Sequence, residues 1–324
     1  VPAARPLEVA GSVELARIER SGLIESRHIG AAAVVDASGR VLRALGDVGA
    51  TIYPRSTLKP LQAVAMLEAG AHLTDEQLVL ASASHCGSPD HLAVVESILL
   101  EDGRDTDALQ CPVEAPLGAQ DRAARRAAGL PATRLTMNCS GKHAGFLRAT
   151  DALGADPHRY LEVDHPIQQR VRSTVEHWSG ETVHHTGLDG CGAPLHATSL
   201  TGLTRAIARV AAGESAEAAR LMSAVQAHPW AIDGHGRANT VVIERLGVLA
   251  KIGAEGVVVL ASPEGVAVAV KILDGGMRAT TPVALALLAA EGIIDRETAR
   301  QVMADLQQPV LGGTSVVGAL VVSL

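Results

Sequence analysis

Hydrophobic and polar positions follow one rhythm at the two ends of the chain and another through its middle. Residues 13–55 carry short β-branched runs, VELARIER and then HIGAAAVVDASGRVLRALG, with Asp36-Ala-Ser-Gly39 as a turn. The pattern predicts strands here, including a hairpin with an Ala/Val-rich buried member. From Ser56 to about residue 230 the period becomes helical. Leu58, Leu61, Val64 and Ala65 trace one face of the first predicted helix, and Gly70 can end it. Thr74 and Gln77 have the spacing of a capping box before QLVLASAS. DHLAVVESILLE, DRAARRAAG, GKHAGFLRATDALG, HPIQQRVRSTVEHWSG, LTGLTRAIARVAAG and SAEAARLMSAVQA continue the helical series.

From about residue 235 the strand pattern returns, in TVVIERLG and in VLAKIGAEGVVVLASPEGVAVAVKILDGG, with Ser262-Pro-Glu-Gly265 as a turn. Thr281 as N-cap with Pro282 at the first helical position then predicts a helix, Asp295 starts another, and TSVVGALVVSL reads as a last strand. Strands at both ends with helices between them imply an α/β fold. Its antiparallel sheet is built from the N- and C-terminal segments and flanked by helices, with a helical lobe inserted. We expect a single catalytic domain over residues 1–324, with the sheet from about 1–55 and 235–324 and the lobe over about 56–234.

Composition narrows the function. At 324 residues the chain can bury a substantial core, and 47% hydrophobic with 19% charged residues describes a globular protein. Aromatics are only 2%, so Ala, Leu and Val must fill that core. The net charge of −7 and the absence of any basic block argue against a nucleic-acid partner. No apolar run approaches the roughly 18 residues of a membrane helix. The opening VPAARPLEVAG has no hydrophobic block behind it and does not read as a signal peptide, so a cytoplasmic location is expected. Four cysteines are too sparse for a disulfide scaffold.

Five stretches carry chemistry. In RSTLKP, Ser56 and Lys59 stand three apart, the spacing that puts two side chains on one helical face. A neutral lysine amine there can take the serine proton as its oxygen attacks. With Lys59 as cap and Pro60 as the first helical residue, Ser56 precedes the helix and a tight turn must bring the pair into contact. SHCGSPDH offers Ser84, His85, Ser88 and His91 as a cleft wall, although taken alone it reads first as a turn in which Ser88 caps the next helix through Pro89. TMNCSGKHAGFL packs Cys139, Lys142 and His143 into five residues, with Cys139 open to the roles of nucleophile, metal ligand or small buried hydrophobe. TGLDGCGAP surrounds Asp189 and Cys191 with glycine, and its thiol could meet Cys139 as a disulfide or around a Zn²⁺ ion. AVKILDGGMRA sets Lys271 and Asp274 at a strand end, with Lys271 either at a solvated edge or turned into a site.

Together RSTLKPLQA, ASHCGSPDH, MNCSGKHAGF, HPIQQ, GLDGCGAP, HPW and VKILDGGMRA resemble the rhizobial-type (class 3) L-asparaginases, and the match spans most of the chain. The resemblance implies a fold like that of serine β-lactamases and glutaminases. It also implies a homodimer that hydrolyses L-asparagine to L-aspartate and ammonia. It places one Ser-Lys tandem on Ser56 and Lys59 and a second on Ser88 and Lys271, with Ser84 the competing serine. It places one Zn²⁺ per chain on Cys139, Lys142 and Cys191, and substrate binding on Arg55, His143 and Asp189. GHGRANTVVIE departs from the family pattern, with Arg237, Asn239 and Thr240 where an acidic residue beside the threonine is expected. A penicillin-type hydrolase would carry Lys-Thr-Gly or Lys-Ser-Gly on a late strand, and neither occurs. A zinc-dependent amino-acid-binding protein without turnover is the remaining alternative, as is a glutaminase.

Overall fold

The computed structural model describes residues 4–324; residues 1–3 of the expected first sheet segment lie outside them. The chain divides into two compact units. One holds the described residues up to Thr57, with Ala197–Ala212 and Val241–Leu324; the other holds Leu58–His196 and Gly213–Thr240.

The first unit contains, among the described residues, an eight-stranded antiparallel sheet. Its order is Val310–Gly312, Ser315–Val322, Val13–Arg20, Leu23–Val35, Ala267–Ile272, Val257–Ala261 and Leu249–Gly253, with Val41–Leu45 also paired to Leu23–Val35. N- and C-terminal segments therefore interleave, as the strand patterns at both ends predict. The register sets Ala33 opposite Ala269 and Ala269 opposite Val259. Every residue of Val257–Ala261 is buried, as are Ala31–Val35 and Ala267–Val270. Such continuous rather than alternating burial requires cover on both faces. The helices Leu200–Ala211 and Thr280–Ala290 lie against these strands. Each buried Val or Leu of this layer contributes about 1.5–3 kcal/mol over its exposed state.

Three expectations need correction. Leu200–Ala211 packs on Leu23–Val35 and Ala267–Ile272 and so belongs with the sheet unit, not with the inserted lobe. TVVIERLG is not a strand but part of the helix Ala238–Leu246. Its β-branched run hides a helical stripe in which Asn239, Thr240, Val242 and Ile243 are the buried positions. Asp233 accepts from the Asn239 amide at 3.3 Å, satisfying one of the donors a helix start leaves open. Finally, the helix predicted from Thr281 begins at Thr280 with Ala279 before it, so Pro282 lies inside the first turn instead of opening it.

The second unit is mainly helical. Ser140–Ala152 packs against Lys59–Glu68, Asp75–Ala81, Pro89–Glu101 and Pro166–Ser179. Gly141 permits part of that approach, since a Cβ there would stand 2.6 Å from the Leu80 carbonyl oxygen. Asp75–Ala81 starts with the predicted capping box, and Pro89–Glu101 starts on Ser88. The GLDGCGAP stretch is the tip of a short hairpin between Thr186–Leu188 and Pro194–His196. No helix among the described residues is long and apolar enough to cross a membrane.

Candidate active site

Lys59 is the first residue of the helix Lys59–Glu68, entered through a 3₁₀ turn over Arg55–Leu58, so Pro60 is its second residue and Leu58 its cap. The amine is buried, with 1% of the residue exposed. Its three donors have three acceptors: the Ala83 carbonyl, Ser84 Oγ at 3.1 Å and Cys139 Sγ at 3.1 Å. None of these bonds goes to Ser56. The serine–lysine pair brought together here is Lys59 with Ser84, across 25 residues of sequence, and spacing within one motif could not reveal it.

Cys139 sits just before the helix Ser140–Ala152, whose first turn carries Lys142 and His143 inward. Lys142 Nζ donates to Cys191 Sγ at 2.9 Å and lies 5.5 Å from the centre of the Phe146 ring. The Cys139 thiol donates to Asn138 Oδ1 at 3.2 Å; the neighbouring Cys139, with help from Lys142 and against burial, holds Cys191 well below the usual thiol range, as thiolate. Cys139 is pushed up by the same pairing and by burial, and stays protonated. Burial opposes charge on Lys142, but the Cys191 thiolate outweighs it and keeps the ammonium above its ordinary range. All four cysteines are unbridged, so the Cys139–Cys191 disulfide is not present.

His143 Nδ1 is 2.7 Å from the hydroxyl of Tyr160, which already accepts from the Gln110 amide at 2.8 Å. Tyr160 therefore donates to Nδ1, which leaves the ring proton on Nε2; the reverse assignment would strand a buried hydroxyl proton. Nε2 is buried without a hydrogen-bond partner. Burial holds the imidazole below its usual value, with Cys191 opposing. Tyr160 escaped the sequence reading, although one of two tyrosines in so aromatic-poor a chain was a signal. Asp189 caps its own loop, accepting from the Gly190 amide at 2.9 Å, with Oδ2 at 4.0 Å from Cys191 Sγ.

Within its own unit Ser88 is a helix cap. It caps Pro89–Glu101, and its hydroxyl lies 2.7 Å from His91 Nδ1. Lys271, on Ala267–Ile272 of the sheet unit, donates to the Glu255 carbonyl. Burial lowers its pKa, with Arg55 adding and Glu255 and Asp274 opposing. Arg55 stands 3.8 Å from Glu255 and occupies the left-handed region at φ 53°, as does Glu255 at φ 60°. Two non-glycine residues held in that region are costly by about 1–3 kcal/mol each, a strain that collects at functional sites. Arg55 immediately precedes Ser56.

Two buried histidines outside this cluster make the fold sensitive to acid. Burial lowers His91 to about 4 and, with Arg172 adding, His196 to about 4. Each is neutral in the folded chain and gains a proton on unfolding below about pH 6.5. Their contribution is complete above that pH and is lost as pH falls toward 4, by up to about 3 kcal/mol each. Denaturant titrations should show stability falling steadily over that window; a flat profile there would contradict the assignment.

The metal reading can be tested on these atoms. Among the described residues no three His, Cys, Asp or Glu side chains form a metal-holding group, so a site here requires lysine. Cys139 is near enough to Cys191 to shift its ionisation, Lys142 donates to Cys191 at 2.9 Å, and the orphaned His143 Nε2 is buried in the same cluster. Two thiolates suit Zn²⁺, and the Lys142 amine can be a third donor once it has lost its proton. The residues present fit the ion.

The family model described as L-asparaginase II matches residues 16–322. The chain belongs to that family. Membership supports an amidohydrolase. No curated protein matches the sequence. Among solved structures the chain is similar to a β-lactamase from Mycobacterium bovis at 17% identity and TM-score 0.44, over 86% of this chain and 95% of that one. It is also similar to a putative β-lactamase from Bacteroides dorei at 14% identity and TM-score 0.45, over 85% and 93%. Mglu in its glutamate form is 16% identical with TM-score 0.46, over 88% of this chain and 63% of that one. These likenesses are too distant to speak to chemistry.

Proposed function

We propose that the protein hydrolyses L-asparagine to L-aspartate and ammonia through a serine acyl-enzyme. The observation that carries this is the buried Lys59 amine, held between Ser84 Oγ and Cys139 Sγ in a chain of the L-asparaginase II family. Ser56, in the turn behind the strained Arg55, supplies the attacking oxygen. It forms a bond to the side-chain amide carbon while Lys59, once neutral, accepts the hydroxyl proton. The proton passes to the departing nitrogen, with the Ser84 hydroxyl as relay, and ammonia leaves a β-aspartyl ester. Water cleaves the ester, with Lys59 accepting the water proton and returning it to Ser56.

Cys139, Lys142 and Cys191 would hold Zn²⁺, and binding would release the protons now on Cys139 and Lys142. The ion would supply positive charge for substrate binding. Arg55, His143 and Asp189 are assigned to binding the amino-acid end, and Lys271 to proton transfer. We carry forward a cytoplasmic homodimer from the resemblance, which sedimentation of the purified chain checks. The substrate is tested by ammonia release across L-asparagine, D-asparagine and L-glutamine. L-asparagine is expected to have the highest kcat/KM, by at least about tenfold. Preference for glutamine, or binding of asparagine without ammonia, would move the protein to one of its two alternatives.

A further inference from the structure

A second polar pocket lies wholly within the helical unit and has no part in that reaction. It encloses about 400 Å³ and is lined by Cys86, Ser88, Asp90, Asp121, His235 and Arg237 among others. That volume suits a small molecule. The stretch that departs from the family pattern, GHGRAN, forms one wall of it.

Its charges are placed, not scattered. Cys86 in its lining is buried. A Cβ on Gly234 would stand 2.6 Å from Cys86 Sγ and 3.1 Å from Arg237 Cδ, so the arginine stem lies along one flank of the cysteine. A Cβ on Gly118 would stand 2.1 Å from Asp121 Oδ2 and 2.9 Å from Cys86 Cβ, so a carboxylate lies along another. Burial, with Asp121 adding, pushes Cys86 up to about 11, and the neutral thiol separates the two charges. Arg237 is anchored through Nε, which donates to the buried Asp233 at 2.6 Å. Among the described residues no hydrogen bond or ion pair engages its two terminal nitrogens, and neither Asp90 nor Asp121 is in an ion pair.

That balance selects the ligand. A plain anion at Arg237 would face Asp90, Asp121 and Asp233, an excess of like charge. A plain cation at Asp121 would face the guanidinium. A molecule carrying both charges a few ångströms apart satisfies each wall, its carboxylate taking the free edge of the guanidinium fork and its ammonium the aspartate. We propose that this pocket binds a small α-amino acid in its zwitterionic form, at a site separate from the Lys59 cluster.

The test is calorimetry on the full chain with L-alanine, which has no side-chain amide to hydrolyse. Inorganic phosphate and ethylamine serve as single-charge controls. L-alanine should bind once per chain, at least about tenfold more tightly than either control. Arg237→Gln and Asp121→Asn should each weaken it about tenfold or more, and Asp189→Asn, at the amino-acid end of the catalytic site, should leave it unchanged. Asp121 is not tied into an ion pair, so its variant keeps the test readable if Arg237→Gln unfolds. No heat with L-alanine in the millimolar range overturns the proposal. So does binding indifferent to Asp121→Asn, binding lost in Asp189→Asn, or phosphate bound as tightly. Ammonia release plays no part in the readout, so failure here leaves the asparaginase assignment standing.

Discussion

Replacing Lys59 by Met is expected to cut kcat for ammonia release from L-asparagine by at least about a thousandfold, with the chain still folded. Methionine has nearly the length of lysine and needs no hydrogen bond, so it can fill the buried channel between Ala83, Ser84 and Cys139 without stranding a charge. What it cannot do is accept and return a proton. Ser84→Ala removes one acceptor of that amine and the relay hydroxyl, while Ala83 and Cys139 still hold the lysine. Its expected loss is smaller, about a hundredfold. If the two residues act as one unit, the double variant falls little below Lys59→Met alone. Full additivity would mean that they serve separate steps. Lys59→Met with turnover within a few-fold of wild type would remove lysine from the chemistry altogether.

Replacing Cys191 by Ser should produce a different signature. The thiolate that Cys139 and Lys142 surround is the negative centre of the cluster, and a serine hydroxyl stays neutral. Metal analysis of protein prepared without chelator should give one zinc per chain, with near-complete loss in Cys191→Ser. Because the ion is assigned to substrate binding, the kinetic effect should fall on KM. A rise of about tenfold or more is expected, with a much smaller change in kcat. Lys142 then also loses its anionic partner, and a buried ammonium left without one costs about 3–5 kcal/mol, so reduced thermal stability is part of the expectation. Wild-type protein without zinc and with all four thiols titratable would refute the metal assignment.

The parts of the fold that sequence revealed are those where pattern and environment agree. Ala31–Val35 and Val257–Ala261 are uninterrupted apolar runs because both faces of the sheet are covered there, so strand, burial and depth are legible together. The capping box at Thr74 and the cap at Asp295 are local and were read correctly. TVVIERLG failed because four β-branched residues in a row favour a strand by propensity. What makes it a helix is tertiary: Asp233 caps its start, and Val242 and Ile243 find a buried face. Thr281-Pro282 failed by two residues, within the usual uncertainty of a helix end.

The candidate site divides along the same line. Cys139, Lys142 and His143 were visible as one dense motif, and the structure keeps them together. The Cys191 contact crosses 49 residues from Lys142, so spacing could suggest it only through the resemblance. The capping role of Ser88 was already present in its own motif. Pro89 follows it at a helix start, and a serine there caps the helix, so its oxygen is occupied by His91. Ser84, four residues earlier in the same stretch, is the oxygen that Lys59 reaches. Nothing local marks it, because the lysine arrives from a different helix.

The most direct measurement is the site of acylation. Wild-type protein mixed with L-asparagine, quenched in acid within the first turnovers and digested, should carry the β-aspartyl group on the peptide containing Ser56, and Lys59→Met should carry none. The group on the Ser84 peptide, or no acylated peptide during rapid ammonia release, would contradict Ser56 as the attacking oxygen.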